Sequence, residues 1–270
     1  MIRKRKRLVH KFLLDTKAKI PFPQAQLTIY QPSVAELSLM GEPNFLIATN
    51  ALTKDYKSLN IEDNFNLENL TNFDILMSMI KEKSEQSKII FLSILQLFDL
   101  IFPDYKVGII PNGFLLQEKN TDVEQKTIHH IDSANFDEFA QIIYEMFGLA
   151  SFQGVTGDDY NPQGDRARAL VEKFRQKREF LMKLRQEKGE DTELNSVFGR
   201  YIDILAVGEC KDKNLLAQYS LYQLIEEFKR FELKEAFDYT LRAKMAGATK
   251  VKDAKDWYQD ITLGVDLKEE

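Results

Sequence analysis

The clearest pattern of apolar and polar positions lies near the C-terminus, where apolar residues recur at helical spacing and so share one face. The apolar positions of this predicted helix are Leu221, Leu224, Ile225, Phe228 and Phe231. Ser220 stands at its N-cap with Gln223 three residues on, the arrangement of a capping box. A second helix is predicted from about 234 to 246, with Gly247 at its C-terminal cap. Its inward-facing side chains are expected to be Phe237, Thr240, Leu241 and Met245.

Two further helical patterns precede these, at about 162–188 and 195–207. Residues 166–270 are therefore predicted to form an all-helical C-terminal bundle, in which Trp257 packs against Tyr222, Ile225 and Phe237. The segment 152–165, FQGVTGDDYNPQGD, is rich in glycine and aspartate, which is typical of an exposed linker. We expect limited proteolysis to cut first at 154–164.

Residues 20–151 alternate between helical and strand patterns, which predicts a mixed α/β domain. Helices are expected at 33–40, 43–52, 70–80 and 133–148. One strand is expected through Leu27 and Ile29, and another at 127–131. Pro-Asn-Gly in the middle of 105–117 predicts a hairpin. The fold class is thus mostly α, with an N-terminal mixed α/β domain followed by an all-helical C-terminal bundle.

Two segments raise the question of membranes and export. The apolar run 89–102, IIFLSILQLFDLIF, has fourteen residues, whereas a spanning helix needs about twenty, so it is expected to be a buried helix or strand. Residues 1–19 form a basic arm or first helix. Within this segment, the apolar stretch that follows the basic run is interrupted by His10, Lys11 and Asp15. This interruption argues against a signal peptide. We expect an intracellular location and no membrane association.

Composition narrows the possible chemistry. The chain has 270 residues, a net charge of −5 and one cysteine, Cys210, so it has no internal disulfide and no cysteine-based metal cluster. His129 and His130 are adjacent in a predicted strand and should point to opposite faces. No phosphate-binding glycine loop or nucleophile motif is present. We therefore expect no catalytic residue, no cofactor and no metal, and a protein that is not an enzyme.

The predicted helix at 166–188 is strongly basic, with nine Lys or Arg residues against three Glu. Its apolar stripe must face the core, so Arg168, Arg175, Lys183 and Arg185 are expected to project outward. Three interpretations remain open for this face: a solvated surface, a docking face for an acidic partner, or a nucleic-acid footprint. These four residues are the candidate partner-binding site.

The motifs YQLIEEFKRF (222–231), FDYTLRAKMAGA (237–248) and DWYQDI (256–261) resemble the C-terminal part of tail assembly proteins from bacteriophages of Gram-positive bacteria. The resemblance covers about 195–261 and is weaker over 27–52 and 94–148. These are chaperone-type proteins without enzymatic activity that accompany the tape measure protein during tail building.

The resemblance implies a tail assembly chaperone that binds the tape measure protein, or another phage tail protein, together with tail tube subunits. Such a chaperone would mask apolar helical stripes until tail polymerisation displaces it. One alternative is a structural virion component, such as a connector or baseplate subunit. Another is a nucleic-acid-binding accessory protein that uses the basic helix 166–188, although nucleic acid is not the expected partner. The expected location is the host cell cytoplasm or the virion. The oligomeric state is left open.

Overall fold

The computed structural model describes residues 8–56, 71–82, 84–119, 127–152 and 196–249, together with Val251. About 63 % of the described residues are helical, with a small mixed α/β N-terminal region and a C-terminal helical region. The predicted fold class is confirmed. The linker at 152–165, the basic helix at 166–188 and Trp257 lie outside the described residues, apart from the helical backbone of Phe152, so those predictions and the domain boundaries stay predictions.

The described elements follow the chain in this order. The first group is α1 Lys11–Asp15, β1 Ile20–Phe22, a 3-10 turn Pro23–Ala25, β2 Leu27–Ile29, α2 Val34–Met40, α3 Glu42–Thr53, α4 Asn72–Lys81 and α5 Glu85–Ile101. The second group is β3 Tyr105–Ile110, β4 Gly113–Glu118, β5 Ile128–Ile131, α6 Phe136–Met146 and α7 Leu149–Phe152. The C-terminal group is α8 Val197–Glu209, α9 Lys213–Ala217 and α10 Leu221–Met245.

Helix starts follow the predicted cap chemistry. Ser33 accepts from the backbone N–H of Glu36, and the Glu36 carboxylate accepts from the Ser33 N–H at 2.6 Å, so both halves of the capping box form. The same reciprocal pair joins Ser220 and Gln223 at the start of α10. These side chains satisfy backbone donors that have no partner within the helix.

The N-terminal strand region differs from the prediction. The sequence predicts a single strand through Leu27 and Ile29, but the chain forms a short antiparallel hairpin in which β1 pairs with β2. Gln26 makes the turn with φ of 53°, a left-handed conformation for which this residue type gives no sequence signal. The cause is tertiary packing, because Phe22 and Ile29 are both fully buried.

The second sheet has three antiparallel strands in the order β3-β4-β5. Pro111 and Asn112 connect β3 to β4, as the Pro-Asn-Gly signal predicts. Gly113 then lies so close to β5 that an added Cβ would stand 2.2 Å from the carbonyl oxygen of Ile131. The predicted third strand is confirmed as β5.

The predicted buried element at 89–102 is helix α5, which is buried on one face only. Leu97, Phe98 and Ile101 are fully buried, whereas Ile89 and Leu92 are about half exposed. The Phe98 ring contacts the rings of Phe102, Phe114 and Phe139, with centroids 4.8–5.7 Å apart. Among the described residues, no helix is both long and apolar enough to span a membrane.

The C-terminal helices share this core with the N-terminal residues. Phe198 of α8 packs edge-on against Phe45 of α3, with 5.7 Å between ring centroids. The N–H of Val34 donates to the carbonyl of Tyr219 at 2.8 Å. Side chains complete the junction, because Lys17 donates to the Gln218 carbonyl at 3.0 Å. The start of α10 is therefore fixed against residues about 200 positions earlier in the chain.

Candidate protein-binding surface

The four residues predicted to bind a partner, Arg168, Arg175, Lys183 and Arg185, lie outside the described residues. Their exposure stays a prediction. The structure instead directs attention to α10, which the sequence pattern divides into two helices. That division is wrong, because Leu221–Met245 is one continuous helix of 25 residues. Its two halves have very different surroundings.

The first half of α10 is anchored by buried apolar side chains. The members that are at most 3 % exposed are Leu221, Tyr222, Leu224 and Ile225. Gln223 also donates to the Asp15 carbonyl at 2.7 Å, which joins α10 to α1. This half is therefore part of the folded body.

Helix α8 supports the middle of α10. The Tyr201 ring meets the Phe228 ring edge-on at a centroid distance of 4.6 Å. Gly208 faces Phe231, and a Cβ on Gly208 would lie 2.4 Å from two carbons of that ring. A glycine is thus required for α8 and α10 to approach this closely without displacing the ring.

An ion-pair cluster lies beside this contact. Lys211 pairs with Glu209 at 2.9 Å and also with Glu227 on α10. Burial acts against the charged form of Lys211, but hydrogen bonds to the two carboxylates outweigh it and raise the pKa of Lys211. In the same way, burial opposes ionisation of Glu209, and its bond to Lys211 holds the pKa of Glu209 below its usual range. The cluster fixes the end of α8 against α10.

Beyond Phe231 most side chains of the helix are exposed. We call residues 232–245 the distal segment; at 1.5 Å per residue it is about 21 Å long. Several of its large apolar side chains face solvent, with exposed fractions of 75 % for Tyr239, 48 % for Leu241 and 81 % for Met245. The prediction that Leu241 and Met245 face inward is therefore wrong. Phe237 and Thr240 are half-buried.

The distal segment carries its own apolar stripe, which we define as Leu233, Phe237 and Leu241. Their spacing of four residues places them along one side of the helix. At 100° per residue, this side is nearly opposite the one that carries Leu224 and Phe228. The face that carries Leu224 and Phe228 therefore ends near Phe231, and the apolar positions beyond it lie on a different side of the helix.

A buried carboxylate lies at the foot of the stripe. Glu226, seven residues before Leu233, is only 7 % exposed, and its Oε1 atom has no hydrogen-bond partner. Burial raises the pKa of Glu226, although the nearby positive charges of Lys11, Lys229 and Arg230 act in the opposite direction. The apolar stripe thus adjoins the Glu226 carboxyl group, which is poorly exposed to water.

The end of the distal segment is well defined. The N–H of Gly247 donates to the Lys244 carbonyl at 2.9 Å, and the N–H of Ala248 donates to the Ala243 carbonyl at 3.0 Å. Together they form a Schellman motif, which Gly247 permits through its φ of 90°. The predicted glycine cap is confirmed, and the distal segment is helical to its last turn.

The histidines and the surface clefts offer weaker candidates for a functional site. His129 is buried, with Nδ1 2.9 Å from the Ala25 carbonyl oxygen, whereas His130 is exposed, so the predicted opposite orientation is confirmed. No group of metal-binding side chains occurs among the described residues. Two clefts in the described part of the chain hold about 240 and 260 Å³, less than the roughly 300–1,000 Å³ of typical ligand pockets.

The sequence holds one signal for the distal segment that periodicity alone misses. No glycine or proline occurs between Leu221 and Met245, so nothing in the chain interrupts a helix there. The change of apolar face near Phe231 resembles a helix boundary. Within an unbroken helix, such a change of face instead indicates a change of environment.

Comparison with known proteins gives one match. Residues 195–262 match the family model described as the YomV second domain, a phage-associated family. The matched segment contains α8, α9 and α10, including the whole distal segment. No curated protein and no solved structure matches the chain. The resemblance to phage proteins is thereby confirmed at this coarser level, while the tail assembly chaperone family stays a prediction.

Proposed function

We propose that this chain is a non-enzymatic morphogenesis factor of a bacteriophage tail, a chaperone that binds the tape measure protein or another helical tail protein in the host cytoplasm. The observation that carries the proposal is the distal segment. It is a helical segment with a partly exposed apolar stripe, in which Leu241 is 48 % exposed, and it lies inside the region that matches a phage-associated domain.

The chemistry of the stripe favours a helical partner. An amphipathic helix presents apolar side chains at the same spacing of three or four residues as Leu233, Phe237 and Leu241. The flanking charges change along the segment: Glu232, Glu235 and Asp238, with Lys234 among them, precede Arg242 and Lys244. A partner helix with the opposite order of charges pairs favourably along this length. The charges would therefore set the orientation of the partner helix, in addition to contributing to the binding affinity.

A chaperone of this kind must release its partner. The stripe contains only three large side chains, two of them already half-buried. Each contributes on the order of 1 kcal/mol when the remaining surface is covered. Such a contact is weak enough for polymerising tail tube subunits to displace it. The outward-facing Arg168, Arg175, Lys183 and Arg185 expected from the sequence would add steering toward an acidic partner.

The test is capture of the tape measure protein by purified chain, with wild type compared with Leu241→Asp. A charge on the stripe should raise the Kd at least tenfold, because burying an unpaired carboxylate costs more than the apolar contact of Leu241 contributes. Leu39→Asp is the matched control, since Leu39 is 89 % exposed on α2. It should bind as wild type does.

Reversing the four basic residues at 166–188 should slow association and reduce its salt dependence. Duplex and single-stranded DNA are measured in parallel at physiological salt. Sub-micromolar DNA binding that depends on those basic residues, without capture of a tail protein, would replace the chaperone proposal by nucleic-acid binding. Equal binding by Leu241→Asp and wild type would exclude the distal segment as the binding surface.

A further inference from the structure

The three-stranded sheet has two edge strands, β5 and β3, and they differ in what lies against them. Along β5, the 3-10 turn Pro23–Ala25 lies against the strand, and His129 bonds to the Ala25 carbonyl. Along β3, no further strand of the described part of the chain pairs with the edge. An open sheet edge presents backbone donors and acceptors to any strand that approaches.

The alternation of hydrogen bonds along β3 shows which of its backbone N–H and C=O groups point away from β4. The N–H of Lys119 donates to the Asp104 carbonyl at 2.9 Å, in register with the pairing of Tyr105 and Glu118. Because bonded residues alternate in an antiparallel pair, the even-numbered residues of β3 bond to β4. Val107 and Ile109 therefore direct their N–H and C=O groups outward, and within the described residues these groups have no partner.

Apart from Lys106, this edge lacks the features that usually protect one. The pairing from Tyr105 to Ile110 is continuous, without a bulge, and contains no proline. Lys106 is its single charged residue. The residues Val107, Gly108, Ile109 and Ile110 are all half-buried, and a Cβ on Gly108 would meet nothing within 4 Å. Edges with these properties are prone to pair with another strand.

We propose that β3 pairs with β3 of a second copy of this chain, antiparallel about a twofold axis at Gly108, to form a six-stranded sheet. In this register Val107 lies opposite Ile109 of the second copy, and each pair exchanges two hydrogen bonds. All four open groups of each strand edge are then satisfied. The N–H of Tyr105 is not needed, since it already donates to the Phe102 carbonyl at 3.0 Å.

The side chains agree with this register. Val107 and Ile109 pack against the core on one face of the sheet, so their counterparts extend that apolar face across the axis. On the other face Gly108 meets Gly108 of the second copy in the closely spaced, non-bonded type of pair. Lys106 lies opposite Ile110 of the second copy, so the two lysines do not face each other. A second copy is thus complementary in backbone, shape and charge.

The interface is independent of the distal segment of α10. Pairing of two six-residue strands covers less area than stable dimers bury, so the association is weak and concentration-dependent. Sedimentation velocity over a range of concentrations of the full chain should show a monomer–dimer equilibrium. Leu241→Asp should leave that equilibrium unchanged, which separates this proposal from the proposed chaperone function.

Gly108→Lys is the decisive variant. The monomer has room for the side chain, but the dimer places two lysines directly opposite each other, a destabilising pair, so the dimer Kd should rise at least tenfold. Gly108→Ala is the matched control and should dimerise as wild type does. Val107→Pro is a second variant, because it removes only an outward N–H and leaves the bonds to β4 intact. It should weaken the dimer to a similar extent.

The register is tested by disulfide trapping in a Cys210→Ser background, since Cys210 is the only cysteine. Gly108→Cys should form a cross-linked dimer under oxidising conditions, and Lys106→Cys should not. A chain that stays monomeric at every concentration overturns the proposal. So does a dimer that Gly108→Lys leaves unchanged, or an edge that takes a strand from another protein but not from a second copy.

Discussion

A glutamate on α3 holds the first turn of α8, although 154 or more residues separate the two sites. Glu42 accepts from the N–H of Val197 at 2.8 Å and from the N–H of Phe198 at 3.2 Å, and Ser196 donates its hydroxyl to the same carboxylate. These backbone donors have no partner within α8. Glu42→Ala removes their acceptor and a negative charge at the helix N-terminus.

The size of the effect follows from the hydrogen bonds that Glu42→Ala removes. Hydrogen bonds to a charged group contribute about 1.5–3 kcal/mol in favourable cases. Because Glu42 is half-buried, water can replace part of the lost hydrogen bonding. We therefore expect Glu42→Ala to lower the free energy of unfolding by about 2 kcal/mol. Glu42→Gln keeps an acceptor oxygen without the charge and should cost roughly half as much. For a protein of this size, each kcal/mol lowers Tm by roughly 2–4 °C.

The assay is urea unfolding followed by circular dichroism at 222 nm. Glu85→Ala is the control, because Glu85 also stands in a first helical turn but only pairs with Lys88 on the surface; its cost should stay near or below 0.5 kcal/mol. Since α8 and α3 share one core, a single transition should shift as a whole. A stability within 0.5 kcal/mol of wild type for Glu42→Ala would refute the reasoning about this cap.

Three further predictions concern single sites. Gly113→Ala should destabilise by roughly 2 kcal/mol or more, because its Cβ collides with the Ile131 carbonyl; thermal unfolding beside Gly108→Ala checks this. Because burial raises the pKa of Glu226, stability should fall as pH rises through that raised value, since the folded state retains the proton longer. Glu226→Gln should therefore gain stability over wild type near neutral pH and none near pH 4, by urea unfolding at both. Trp257→Ala should cost on the order of 3 kcal/mol if the ring packs as the sequence predicts, and a water-like fluorescence maximum in the native protein would count against that packing.

Local signals predict much of this fold. Ser33 with Glu36 and Ser220 with Gln223 specify helix starts through their own side chains, so no distant residue is needed. Pro111-Asn112-Gly113 similarly specifies the β3–β4 turn. The apolar run 89–102 is correctly predicted as a core element, although Ile89 and Leu92 are exposed on the outer face of α5. These features depend on residues three or four positions apart.

Contacts between distant residues are not predictable in this way. The β1–β2 hairpin depends on core packing of Phe22 and Ile29, and Gln26 adopts a left-handed conformation without being a residue type that favours it. Helix α9 escapes prediction because Asp212, its N-cap, precedes only five helical residues. The exposure of Leu241 escapes prediction because periodicity shows that a helix has an apolar face, but does not show whether anything covers that face.

The most direct test of the central claim is amide hydrogen exchange of the full chain with and without the tape measure protein. Binding through the distal segment predicts slower exchange at residues 232–245, where Tyr239, Leu241 and Met245 are exposed. Exchange in α2, which carries the exposed Leu39, should not change. Partner binding that leaves 232–245 unchanged, or that protects α2 instead, would contradict the claim that the distal segment of α10 is the protein-binding surface.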